Sequence, residues 1–210
     1  ASGGTVVAEA SYNTGDTSFD AQVATVTAAN PDAIVLITFD EFTTIAPLLV
    51  NAGQSAENFY LVDGNLKQWD TDVSVSLEGA KGTTPGPVLA DDFQERLNEA
   101  WTAEGNAELE DYSYAAESYD AVVLLALASL AAGSTDAAAI AEKLQEVSGG
   151  SGDGEKCESF ADCAEIINGG GVADYDGYSG GVAFDDAGDP TEATIGIFQY
   201  GADNKFERIN

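Results

Sequence analysis

The chain has 210 residues, with 37 acidic side chains, 7 basic ones and no histidine, so its formal net charge is −30. So few cations argue against binding to nucleic acids or to anionic membrane surfaces, because phosphate contacts need lysine and arginine. Without histidine, a Ser-His-Asp triad and a histidine-containing zinc site are excluded, and two cysteines are too few for a cysteine-only zinc site. An acidic surface of this kind is typical of proteins that are kept soluble by their charge or that tolerate high ionic strength.

The first third of the chain alternates between strand and helix patterns. Strands are predicted at 5–10, 33–38 and 58–62, and helices at 19–29 and 41–52. The apolar run 33–38 has no polar alternation, which is typical of a strand buried on both faces. This order predicts βαβ units, and the fold class is therefore α/β: a Rossmann-like parallel sheet with helices on both faces.

The rest of the chain is richer in helix patterns. Helices are predicted at 91–101, 112–133, 135–147 and 159–168, and strands at 181–184, 193–200 and 205–209. The helix at 112–133 is very apolar and reads as a buried helix, since its longest unbroken apolar stretch, 121–128, falls short of the roughly 18 residues of a membrane span.

A block near the C-terminus carries the most specific pattern. It begins with CESFADC and continues with NGGGVADYDGYSGGVAFDDAGDP at 168–190. This block resembles the C-terminal region of type 1 periplasmic binding proteins, the branched-chain amino-acid-binding family. The segments GGTVVAEASYNTGDTSFDAQVATVTAANPDAIVLI, LEGAKGTTPGP and SYDAVVLLALA are similar to further family segments. The resemblance implies two α/β lobes joined by a hinge, with the ligand in the cleft between them.

The resemblance also implies a division of the chain. Residues 1–110 correspond to most of lobe two, 111–176 to the helical part of lobe one without its sheet, and 177–210 to the hinge return and terminal strands of lobe two. About the first half of a family member is absent, together with the lobe-one Ser and Thr contacts to a ligand carboxylate, so we expect weakened ligand binding. An apolar helix without its sheet predicts self-association or repacking on lobe two.

The two cysteines, Cys157 and Cys163, are close enough to bridge a short loop. Two free buried thiols are the alternative, but the polar surroundings and the family's paired cysteines favour a disulfide. A disulfide implies an oxidising, extracytoplasmic compartment. Because the chain contains no methionine, we expect a processed chain or a segment cut from a longer one.

Ligands of open α/β sheets bind beyond the carboxyl ends of the strands, where Tyr12, Phe39 and Asp63 are predicted. Asp63 resembles the acidic position that holds an α-ammonium group in the family, although it could instead cap the following turn. Phe39 resembles the aromatic residue presented to the ligand, with core packing as the alternative, and Tyr12 is expected in the cleft. Tyr114 and Glu117 lie near the family's side-chain pocket, although Glu117 could simply favour the positive helix N-terminus.

The resemblance implies an extracytoplasmic solute-binding component of an ABC importer, lipid-anchored in the full-length protein and docking on a permease. It would bind an amino acid, with a branched-chain one favoured, or a similar small solute by hinge closure, without cofactor, metal or enzymatic step. The acidic residues Asp185, Asp186 and Asp189 do not follow an EF-hand spacing and are expected in a solvated turn. A ligand-binding sensory ectodomain is the alternative function, which an adjoining transmembrane helix and kinase domain would indicate.

Overall fold

The computed structural model describes residues 3–210, and the chain divides into two compact units. Unit 1 comprises Ala1–Thr84 with Gly196–Asn210, and unit 2 comprises Pro85–Ile195. The helices are α1 Asp20–Ala28, α2 Phe42–Asn51, α3 Asp91–Ala103, α4 Ala115–Ala132, α5 Ala137–Val147 and α6 Phe160–Asn168. The strands are β1 Ile34–Leu36, β2 Phe59–Leu61, β3 Lys81–Pro85, β4 Glu155–Cys157, β5 Ala173–Gly177, β6 Gly180–Gly181, β7 Ile195–Tyr200 and β8 Phe206–Arg208.

The sheet of unit 1 has the strand order β1-β2-β3-β7-β8. β1, β2 and β3 are parallel, with Ile34 opposite Phe59 and Tyr60 opposite Lys81, whereas β7 and β8 are antiparallel. Parallel neighbours place their carboxyl ends at the same edge of the sheet. The predicted α/β class with a parallel sheet is therefore confirmed.

One face of this sheet carries the core of unit 1. Ile34 and Leu36 are buried against α1 and α2 in a cluster that also contains Phe42, Leu49 and Phe59. On the opposite face, Val35 is 63 % exposed and Tyr60 is 41 % exposed. The prediction that 33–38 is buried on both faces is therefore wrong for the described residues, because both helices pack on the same side.

The strand predicted at 5–10 is also wrong. Residues 4–13 lie outside any helix or strand, and Val6 is 75 % exposed. β1 is the terminal strand of the sheet, and within residues 3–210 the segment forms no ladder with it. Local sequence preference favours an extended chain, but a strand also needs a partner's hydrogen bonds, which the local pattern cannot supply.

Unit 2 is built around α4, which packs against α5, α6 and β5. Its small sheet has the order β4-β5-β6, with β4 parallel to β5. The sequence predicted only helices between 111 and 176, and the structure adds β4 and most of β5 within that range. The three-residue strand β4 carries too little periodicity to detect, and it is fixed by pairing with β5 and by the cysteine at its end. The predicted lobe boundaries stay a prediction.

The helix α4 is long and apolar enough to cross a membrane, with a mean hydropathy of 1.5 over 18 residues. The prediction that no stretch reaches this length is therefore wrong, because it counted only an unbroken apolar run. Leu124 and Leu127 of α4 are nevertheless core residues of unit 2. On the other side of the helix Val122 is 67 % exposed, so self-association through this surface stays a prediction.

Cys157 and Cys163 form a disulfide, as predicted, which ties the end of β4 to α6. Both cysteines belong to the buried core of unit 2. A crosslink stabilises mainly by restricting the unfolded chain, and a loop this short contributes about 2 kcal/mol.

Replacing both cysteines with alanine is expected to lower the free energy of unfolding by about 2 kcal/mol. Guanidinium denaturation followed by circular dichroism measures the loss. Dithiothreitol should destabilise the wild-type chain by a similar amount and leave the double variant unchanged. Equal denaturation midpoints for the wild-type chain and the double alanine variant would show that the disulfide does not stabilise unit 2.

Candidate functional site

The carboxyl ends of β1 and β2 meet at one edge of unit 1. Thr38 and Phe39 follow β1, while a short 3-10 turn, Asp63–Asn65, follows β2. Because the two strands are parallel neighbours, their following loops lie side by side. This edge therefore brings together Phe39 and Asp63, two of the predicted ligand-binding residues.

Phe39 is 69 % exposed, so the alternative of core packing is wrong. A Cβ atom on Gly64 would lie 2.9 Å from Cε1 of Phe39 and 3.1 Å from the carbonyl oxygen of Thr38. A side chain at this position would push the exposed Phe39 ring away. The absence of a side chain at Gly64 lets the Phe39 ring lie directly against the turn that carries Asp63.

Asn65 is fully buried beneath this edge, although the sequence did not predict it as a site residue. Its Nδ2 donates to the carbonyl oxygen of Leu36 at 2.9 Å and to Oγ1 of Thr38 at 2.8 Å. Its Oδ1 accepts from the backbone N–H of Val62 at 2.9 Å. One side chain therefore bonds the ends of both strands. The only signal in the sequence is its place in an Asp-Gly-Asn turn.

Tyr12 reaches the same edge through a hydrogen bond to Glu41. Its ring packs edge-on against Phe19, with the centroids 5.2 Å apart. Its hydroxyl donates to Oε2 of Glu41 at 3.4 Å, and the same oxygen accepts from the backbone N–H of Phe39 at 3.1 Å. Burial, and then the Glu41 carboxylate, raise the pKa of Tyr12. Glu41 thus links Tyr12 to Phe39.

The charges at this edge are mostly negative. Asp40 pairs with Lys67, whose ammonium lies 5.4 Å from the centroid of the Trp69 ring. Asp40 does not cap α2, because Glu41 precedes the helix and no side chain caps it. Carboxylates outnumber ammonium groups at this edge, which favours a cationic group on a ligand.

Tyr114 and Glu117 lie in unit 2, at the start of α4. Tyr114 precedes the helix with a left-handed φ of 60° and is 39 % exposed. Glu117 is in the first turn, where the positive end of the helix dipole favours a carboxylate. Its Oε1 lies 3.3 Å from the position of a Cβ atom on Gly86. Both the pocket role and the dipole role remain compatible with this position.

Two open cavities lie away from these residues. One, of about 570 Å³, is lined by residues that include Glu57, Lys81 and Gln199 in unit 1. The other, of about 540 Å³, lies beside the disulfide in unit 2. In the described part of the chain, no group of three or more cysteine and acidic side chains is placed to hold a metal ion. Asp185 instead closes its own turn by accepting from the backbone of Ala187 and Asp189.

Comparisons with known proteins agree on the fold. A model of the periplasmic binding protein family matches residues 1–158. No curated protein sequence matches at a significant level. The leucine-binding protein LivK of Thermotoga maritima is 19 % identical with a TM-score of 0.63, and the match covers 95 % of this chain and 49 % of that one. A periplasmic binding protein type 1 from Bordetella pertussis is 20 % identical with a TM-score of 0.59, covering 94 % and 51 %. The chain spans about half the length of these two solved structures.

Proposed function

This chain belongs to the periplasmic binding protein family, and from that premise we propose that it is the solute-binding component of an ABC importer. It takes an amino acid at the carboxyl edge of β1 and β2. The observation that supports this most is the exposed Phe39 ring beside Asp63, held against Gly64 at the edge where parallel sheets bind ligands. Proteins of this family bind small molecules outside the cytoplasm.

The two side chains suit the two ends of an aliphatic amino acid. The Asp63 carboxylate accepts charge-assisted hydrogen bonds from the α-ammonium group, which contribute about 1.5–3 kcal/mol. The exposed face of Phe39 packs against an aliphatic side chain and excludes water from it. A leucine-binding protein is among the solved structures of similar fold, so L-leucine is the first probe.

Transport requires no covalent step in this scheme. The full-length protein closes by a hinge around its ligand and then docks on the permease, in the manner of a population shift between open and closed forms. An extracytoplasmic location agrees with the Cys157–Cys163 disulfide. In this proposal the full-length protein is held at the membrane by a lipid anchor.

Replacing Asp63 with asparagine is expected to raise the dissociation constant for L-leucine about 10- to 100-fold, because the neutral amide loses the charge-assisted part of the contact. Titration followed by NMR measures this, since it detects weak binding. Asp32→Asn is the matched control, because Asp32 is exposed before the amino end of β1.

A ligand without the ammonium group provides the second control. 4-Methylpentanoate keeps the carbon skeleton of leucine, so wild type and Asp63→Asn should bind it equally weakly. Equal L-leucine affinities for wild type and Asp63→Asn would remove Asp63 from the site and contradict the proposed binding mode.

A further inference from the structure

We propose that Asn65 is the positioning residue of this site: it sets the spacing between Phe39 and Asp63 before any ligand arrives. The inference rests on the proposed function for its effect on binding, but the arrangement itself is independent of any ligand. Asn65 does not reach the surface, since its exposure is 0 %, so it acts through its neighbours.

The hydrogen bonds of Asn65 divide between the two loops. Its two N–H groups donate to Leu36 and Thr38, at the end of the strand that leads into Phe39. Its oxygen accepts from the backbone N–H of Val62, immediately before Asp63. The side chain therefore acts as a crossbar between the two loops.

The chemistry of the crossbar requires a short carboxamide. Asparagine offers two donors and an acceptor on one planar group, whereas aspartate lacks the donors and alanine lacks both. The residue is itself held in place, because Nε1 of the buried Trp69 donates to the carbonyl oxygen of Asn65 at 3.1 Å. The Trp69 ring packs beside Phe42, with centroids 5.5 Å apart. Such support reduces the ordering needed when a ligand binds.

The consequence appears at the surface of the site. Gly64 follows Asp63 and precedes Asn65, and the Phe39 ring lies against Gly64. If the crossbar is removed, the loop after β1 and the turn after β2 are no longer bonded through it. The contact between the Phe39 ring and Gly64 is then expected to loosen, and the two ligand-binding side chains move independently.

The test compares Asn65→Ala with Asn51→Ala, a matched change at an exposed position in α2. NMR without ligand should show the loss of the nuclear Overhauser effect between the Phe39 ring and the Gly64 α-protons in Asn65→Ala only. The amide of Val62 should exchange with solvent at least tenfold faster in that variant. An unchanged Overhauser effect and an unchanged Val62 exchange rate in folded Asn65→Ala would overturn the proposal.

Ligand binding gives a second readout that a purely structural role would not produce. Asn65→Ala should weaken L-leucine binding about tenfold in the wild-type background and less than twofold in a Phe39→Ala background, since no ring is left to position. Full additivity of the two substitutions would overturn the positioning role. Failure of the wild-type chain to bind L-leucine would contradict the proposed function. The Overhauser effect and the amide exchange rate are measured without ligand, so they test the positioning role of Asn65 separately.

A milder pair of variants keeps the test decisive if Asn65→Ala does not fold. Thr38→Val removes the hydroxyl that accepts from Asn65, whereas Thr38→Ser retains it. We expect the contact between Phe39 and Gly64 to weaken in Thr38→Val and to be preserved in Thr38→Ser. Equal behaviour of the two variants would also overturn the proposal.

Discussion

Replacing Asp120 with alanine is expected to lower the free energy of unfolding by about 3–5 kcal/mol, because it removes at once the acceptor for one buried donor and three partly buried ones. Asp120 lies on α4 and is 1 % exposed. Its carboxylate accepts from the Tyr175 hydroxyl at 2.7 Å and from the backbone N–H of Tyr178 at 3.1 Å. It also accepts from the backbone N–H and the hydroxyl of Ser179.

The donors around Asp120 explain the size of this effect. Every partner donates, so only an acceptor fits, and asparagine would direct an N–H group at another donor. Burial raises the pKa of Tyr175, and the Asp120 carboxylate raises it further, so the phenol remains a donor at neutral pH. The turn that Asp120 holds also places the Tyr178 ring on Phe93, with centroids 3.8 Å apart.

Urea denaturation followed by circular dichroism measures this prediction. Asp153→Ala is the control, because Asp153 is exposed in the same unit and its removal should change stability by less than about 0.5 kcal/mol. Asp120→Asn should fall between the wild-type chain and Asp120→Ala. A loss below about 1 kcal/mol for Asp120→Ala would show that water replaces the carboxylate at little cost.

Raising the KCl concentration from about 0.1 M to about 2 M is expected to raise the thermal midpoint by roughly 10 °C or more. The net charge of −30 on 210 residues makes the folded chain repel itself. Salt shortens the Debye length from about 10 Å at 0.1 M to about 3 Å at 1 M, so it removes most of this repulsion. A gain of a few kcal/mol corresponds to a shift of this size in a chain of this length.

Salt also screens attractive pairs, but the chain has only 7 basic side chains to form them. The ion pairs of the described residues include those of Lys67, Lys143 and Lys156. Further cationic side chains lie over aromatic rings, namely Lys81, Arg96 and Arg208. Exposed pairs contribute about 0–1 kcal/mol each, so their screening cannot offset the relief of repulsion.

Thermal melts in KCl at neutral pH test the salt effect. The same series near pH 4 is the control, because many carboxylates are protonated there and the repulsion is smaller. The midpoint should therefore respond less to salt at low pH. A midpoint that stays constant or falls with KCl at neutral pH would show that surface repulsion does not limit stability.

The parts of the fold that the sequence predicts are those with a local signal. β1, β2 and α2 follow directly from the apolar runs and the helical spacing between residues 33 and 62. The edge that carries Phe39 and Asp63 follows from the same pattern, because parallel strands end together. The disulfide follows from the short spacing of Cys157 and Cys163 and from the family resemblance.

The parts that the sequence does not predict depend on contacts between distant residues. Asn65 bonds Leu36, which is 29 positions away, and Asp120 bonds Tyr175, which is 55 positions away. Neither contact can be predicted from the residues next to it in the sequence. The strand predicted at 5–10 is wrong for a different reason. Its local pattern favours a strand, but its backbone has no ladder partner in the described chain.

Mapping the binding of L-leucine on the chain by NMR tests the central claim most directly. The amides of Phe39, Asp63 and Gly64 should shift in a saturable way, with little change around the cavity lined by Glu57, Lys81 and Gln199 or the one beside the disulfide. Saturable shifts confined to either cavity, with Phe39 and Asp63 unaffected, would contradict a ligand site at the carboxyl edge of the parallel strands.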